Sequence, residues 1–183
     1  MKIEELNEKL LEASSTGDLK EVESLLEQGA DVKWMNEYGY TALMYAARLY
    51  GHKDICEALI NKGADVNATT EDGDTALMEA AGYGRKDVCE LLIANGADVN
   101  ATNKNGVTAL YQAARLGYNN DVCELLIANG AKVDEKTLAK AHLSVFELLS
   151  RAMQAQYKSI IKNDSEVLKM SEKNKAIDNR ENE

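Results

Sequence analysis

Three cysteines, two histidines and 31 acidic residues are the side chains of this 183-residue chain that could carry chemistry. Metal binding would need them grouped, with four ligands close together for a zinc site. Cys56, Cys89 and Cys123 are spaced by 33 and 34 residues, and no Cys-x-x-Cys pair occurs. General acid–base work would need paired carboxylates, or a histidine beside an acid or a nucleophile. The acids are scattered, His52 follows a glycine, and His142 has no such partner nearby. No Gly-x-Ser-x-Gly, His-Glu-x-x-His or phosphate-cradling glycine loop is present. The expectation is therefore a non-enzymatic chain without metal or cofactor.

Composition narrows the partners. The formal charge is −10, which argues against nucleic acid and anionic membrane surfaces, since both call for basic patches. No run of about 18 apolar residues exists, so no membrane span is expected. The N-terminal MKIEELNEKLLEA has acids among its leucines and does not read as a secretory signal. Three cysteines cannot all pair internally, which suits a reduced, cytoplasmic chain. Apolar residues make up 45% and aromatic residues 5%, enough for an ordered core.

The elements that hold these side chains are written as a repeat. TALMYAA (41–47), TALMEAA (75–81) and TALYQAA (108–114) are one block, recurring after 34 and then 33 residues. DICEALINKGADVNA (54–68), DVCELLIANGADVNA (87–101) and DVCELLIANGAKVD (121–134) follow each in turn. LKEVESLLEQGADV (19–32) is a weaker upstream copy. Leu77, Met78, Ala80 and Ala81 give a first short helix, and Val88, Cys89, Leu92 and Ile93 give a second with one apolar face. Gly84 turns the chain between them, and Gly96 closes the second helix. Asn105-Gly106 marks a tight turn in the segment that follows. Fingers are expected near 31–40, 65–74 and 98–107, with about eight helices in 1–134. Helices this short must stack on neighbours to bury their apolar faces. Stacked helices lie about 8–10 Å apart, beyond the ~7 Å Cα separation a disulfide can bridge. The three cysteines thus read as small buried thiols in equivalent positions.

This pattern resembles the ankyrin repeat family, with its period of about 33 residues and T-P-L-H-x-A signature. The resemblance covers roughly residues 3–134 and rests on T-x-L-x-x-A-A, the turn glycine, (V/I)-C-E-x-L-I and G-A-x-V-(N/D). It implies an all-α ankyrin-repeat solenoid of stacked helix-turn-helix units with hairpin-like fingers. The chain departs from the signature in two ways. Thr-Ala-Leu replaces Thr-Pro-Leu throughout, and Met44, Met78 and Tyr111 stand where the family has His, so that histidine's hydrogen bond is missing. The resemblance also implies a structural role for His52, tying its turn to backbone, and makes Asn67 and Asn100 candidate modification sites. The turns Arg48–Gly51 and Leu116–Asn119 carry one extra residue and should bulge.

The expected organisation is an N-terminal capping repeat over 1–34, repeats over 35–68, 69–101 and 102–134, a helical C-terminal cap over 135–162, and a polar tail over 163–183, a frayed helix passing into disorder. Glu21 takes a position that is apolar in the later repeats, as suits an uncovered end.

Arrays of this family bind proteins on the concave face made by fingers and first helices, so the resemblance points to residues there that the repeat leaves free. They are Trp34 at the end of the first repeat, and Glu37, Tyr38, Tyr40, Tyr45 and Arg48 in repeat two, with Leu49. Repeat three offers Glu71, Asp72, Asp74, Glu79 and Tyr83. Repeat four offers Lys104, Asn105 and Val107, with Gln112, Arg115 and Leu116. Four of the eight tyrosines fall between 38 and 50, and the only tryptophan lies just upstream. Aromatic residues dominate interaction hot spots. The implied function is a scaffold or adaptor for one protein partner bearing a basic patch, bound by a monomer. The alternative is a regulatory or inhibitory subunit that masks an enzyme, its acids imitating a substrate.

Overall fold

The computed structural model describes residues 2–48, 50–116 and 119–181, with side chains as far as Lys162 apart from Leu116. Ten helices run in order: α1 (Ile3–Thr16), α2 (Leu19–Glu27), α3 (Ala42–Ala47), α4 (Lys53–Asn61), α5 (Ala76–Gly82), α6 (Lys86–Ala94), α7 (Ala109–Leu116), α8 (Asn120–Ala128), α9 (Glu135–Lys140) and α10 (Leu143–Glu181). Among the described residues there is no strand, only a bridge between Thr69 and Thr75. The solenoid read from the sequence is what forms. First helices α1, α3, α5, α7 and α9 stack in one row, and second helices α2, α4, α6, α8 and α10 in another.

The first helices α3, α5 and α7 each start at a Thr whose hydroxyl accepts the backbone N–H three residues on, at 3.3 Å for Thr41 and Thr75 and 3.1 Å for Thr108. That cap supplies the helix start without the missing proline. Second helices bury one stripe: Ile55, Cys56 and Leu59, then Val88, Cys89 and Leu92, then Val122, Cys123 and Leu126, all at 0% exposure. Burial, joined by neighbouring acids, pushes each thiol up to about 12. All three cysteines are free and buried. At the N-terminal end Leu6, Leu10 and Ala13 face inward and Glu21 is exposed.

Consecutive repeats are locked by contacts the repeat pattern did not reveal. His52, Arg85 and Asn119 occupy one position, and each side chain reaches under the turn glycine of the repeat before it, at Gly17, Gly51 and Gly84. The His52 ring makes no backbone tie at Nε2, which is buried without a hydrogen-bond partner, so the role implied for it changes. Its backbone N–H supplies the tie instead, donating to the Ala46 carbonyl at 2.9 Å. A second set of staples runs between successive loops. The Asn67 amide donates to Gly96 O at 2.9 Å and its oxygen accepts from Asp98 N at 2.8 Å. Asn100 does the same to Gly130 O and Lys132 N, and Gln156 of α10 to Ala131 O and Val133 N.

The chain after the array departs from expectation. Val145 and Leu149 are buried, but Phe146, Tyr157, Ile160 and Ile161 are exposed, so the cap turns apolar side chains outward. The backbone of 163–181 continues α10 as helix. Its sequence contains neither Gly nor Pro and is rich in Lys and Glu, so no residue type in it ends the helix. The bulges expected at Leu49 and at Gly117-Tyr118 lie outside the described residues.

Candidate functional site

The fingers are built alike. At each tip a polar side chain turns the chain: Asn36 Oδ1 accepts from Tyr38 N and Tyr40 N, Thr70 Oγ1 from Asp74 N, and Asn103 Oδ1 from Asn105 N and Val107 N. Backbone bonds then tie tip to tip, from Glu71 N to Tyr38 O at 3.0 Å and from Lys104 N to Asp72 O at 2.9 Å. Gly39 stands at this contact because a Cβ there would meet Glu71 N at 2.8 Å, and its φ is +78°. The fingers therefore form one edge with fixed spacing, and the last is closed by Lys136, whose Nζ donates to the carbonyls of Asn105 and Gly106.

Between fingers and first helices the structure gathers five residues singled out by the sequence. Tyr40 donates its hydroxyl to Glu79 Oε1 at 3.3 Å, and its ring lies 5.5 Å from that of Tyr45. Arg48 Nε sits 3.3 Å from Glu79 Oε2. Its guanidinium lies between two rings, 6.0 Å from the centroid of Tyr40 and 5.7 Å from that of Tyr83, within cation–π range. Beside them Asp74 accepts from the Asn103 amide at 2.7 Å. A cavity of about 310 Å³ opens here, walled by Arg48, Asp74, Glu79 and Tyr83, with Gln112 and Arg115 of α7 and Met78 and Gly82 of α5.

The other residues distribute differently. Glu37, Tyr38, Glu71, Asp72, Lys104 and Asn105 are exposed on the fingers. Trp34 is half-buried and packs against the core, so it is not an open finger residue. Tyr40 and Tyr45 are also half-buried and held by their neighbours. Val107 is half-buried at the last finger. Gly82, which in Gly82-Tyr83-Gly84 reads from the sequence as a turn glycine, instead ends helix α5. Aligning the residue after each Ala-Ala pair gives Arg48, Gly82 and Arg115, a row whose middle side chain is missing.

Glu79 is the electrostatic centre. Its side chain is only 13% exposed, against 41% for Arg48. Burial pushes its carboxyl above the usual range; Arg48 pulls it back, and Asp74 pushes further. Burial and the Glu79 charge likewise push the Tyr40 phenol up. A carboxyl whose folded value is raised favours the folded state when protonated, and that contribution is lost as pH rises through the folded value. The charge on Glu79 therefore comes at a cost to folding. The Tm advantage of Glu79→Gln over the parent chain should grow as pH rises from about 4.5 to about 7. An advantage that shrinks over that interval would contradict the assigned desolvation.

Among the described residues no group of three or more His, Cys, Asp or Glu is placed to hold a metal ion. No described helix is long and apolar enough to cross a membrane. A search of curated proteins finds no match. The family model for ankyrin repeats (3 copies) matches residues 8–70 and 67–137. With a helical solenoid, finger loops tied edge to edge and that match over most of its length, the chain belongs to the ankyrin-repeat family, whose members are in general protein–protein interaction modules.

Proposed function

We propose that this chain is a non-enzymatic scaffold that binds one protein partner across the fingers and first helices of repeats two and three. The observation that carries the reading is the preformed cluster of Tyr40, Tyr45, Arg48, Glu79 and Tyr83 below an exposed finger edge bearing Tyr38, Glu71 and Asp72. Side chains already held in place lose little freedom on binding, so more of the contact energy remains as affinity. The finger acids favour a basic patch on the partner, steering encounter in a way that salt screens.

Tyr38 is 60% exposed, and its structural bonds run through its backbone N and O alone, which alanine retains. Tyr38→Ala should weaken partner binding by about 2 kcal/mol while moving folding stability by no more than about 0.5 kcal/mol. The partner for this titration is the protein recovered with the native chain by affinity purification. Unchanged affinity in a fully folded variant would remove Tyr38 from the site.

A further inference from the structure

We propose that the cavity at Gly82 is a slot for a single acidic side chain, Asp or Glu, from a partner segment whose neighbouring residues are basic. The proposal rests on the reading that the finger-and-helix face binds a protein, and names what that protein inserts. Three observations carry it.

Gly82 is the first. It ends α5 in a helical conformation, with no positive φ to call for glycine. A Cβ there would meet only Gln112 Cβ, at 3.6 Å, an ordinary contact. Alanine would therefore fit and favour the helix. The vacant side-chain position is what opens the cavity.

The second is the row in which it sits. First helices of neighbouring repeats lie about 8–10 Å apart, so Arg48 and Arg115 stand about 16–20 Å apart at the backbone. Both line the cavity opened between them. A carboxylate entering at Gly82 would lie between these two arginines, of which Arg115 can offer it charge-assisted hydrogen bonds.

The third is the arrangement of charge. Glu79 is paired with Arg48 and accepts from Tyr40, while Asp74 accepts only from the neutral Asn103 amide. Among the described residues neither Asp74 nor Arg115 has an ion pair, so the cavity carries one carboxylate on its finger side and one guanidinium on its helix side without a charged partner. Asp74, Glu71 and Asp72 belong to the finger side of the face, Arg115 to the helix side. The bound segment is thereby polarised, with its acid toward the helices and its basic neighbours toward the fingers.

A phage-displayed library of random dodecapeptides, selected on the full-length protein, tests this. The expected consensus holds one Asp or Glu beside Lys or Arg. Binding of the consensus peptide should fall about tenfold or more with Arg115→Glu and with Gly82→Leu, while Gly82→Leu keeps or raises Tm. Changing the peptide's acid to Lys should restore affinity for Arg115→Glu. A consensus without an acid, an acid-bearing peptide indifferent to both variants, or a library with nothing enriched would overturn the slot. Peptides that ignore the slot variants but are lost with Tyr38→Ala would leave the face reading standing; peptides indifferent to all three variants would overturn both.

Discussion

Leu92→Ala is expected to lower the free energy of unfolding by about 3–4 kcal/mol. Leu92 has 0% exposure in α6, and α6 is packed between α4 and α8. Truncation removes apolar contacts to both neighbouring repeats and leaves a cavity that short helices, pinned by turns at each end, cannot collapse to fill. In a solenoid each interface is shared by two repeats only, so damage at the centre weakens two interfaces at once. Leu25→Ala, in α2 at the end of the row, should cost less because α2 has a second-helix neighbour on one side only. Urea unfolding of both variants measures the order. A loss below about 1 kcal/mol for Leu92→Ala would mean that the central stripe is not the packed core described above.

Gly84→Ala is expected to cost about 2–4 kcal/mol, from two causes that can be separated. The φ of Gly84 is +69°, where an L side chain pays about 1–2 kcal/mol. The new Cβ would lie 2.2 Å from Asn119 Oδ1, so Asn119 must move. Asn119 is 2% exposed and donates to Ala81 O at 3.2 Å, so moving it leaves buried polar groups unpaired at about 1–3 kcal/mol. In an Asn119→Gly background the clash and the bond are both absent, and Gly84→Ala should then cost only the backbone share. Equal costs in the two backgrounds would show that Asn119 does not lock the repeats together.

The parts of the fold legible in sequence are those the repeat writes more than once. The thiol stripe at Cys56, Cys89 and Cys123, the turn at Gly84 and the closure at Gly96 each follow from a position recurring at a fixed period, and each is found as expected. Interactions between repeats are harder to read, because they join residues about one period apart whose types differ. His52, Arg85 and Asn119 do one job with three chemistries, so no shared letter reveals it.

For the candidate site, the sequence identified side chains free of the repeat's own pattern but could not separate the exposed from the engaged. Trp34 and Tyr40 stand at variable positions and are nevertheless half-buried, Trp34 against the core and Tyr40 against Glu79 and Tyr45. Tyr38, two residues from Tyr40, is open. Rotation about a finger decides which is which, and composition carries no record of it. The cavity was missed for another reason: a search for functional side chains passes over Gly82, where the feature is a missing one.

The central claim is that a protein partner binds the face of fingers and first helices in repeats two and three. It is tested most directly by one comparison of affinity between two charge-reversed variants with the same net charge. One is Glu71→Lys/Asp72→Lys, at the exposed fingers; the other is Glu90→Lys/Glu124→Lys, at exposed positions of α6 and α8 in the second-helix row. Calorimetric titration with the co-purifying partner should show the finger variant weakened by about 30-fold or more, which is about 2 kcal/mol, and the second-helix variant within about threefold of the parent chain. Equal weakening, or greater weakening in the second-helix variant, would contradict the account.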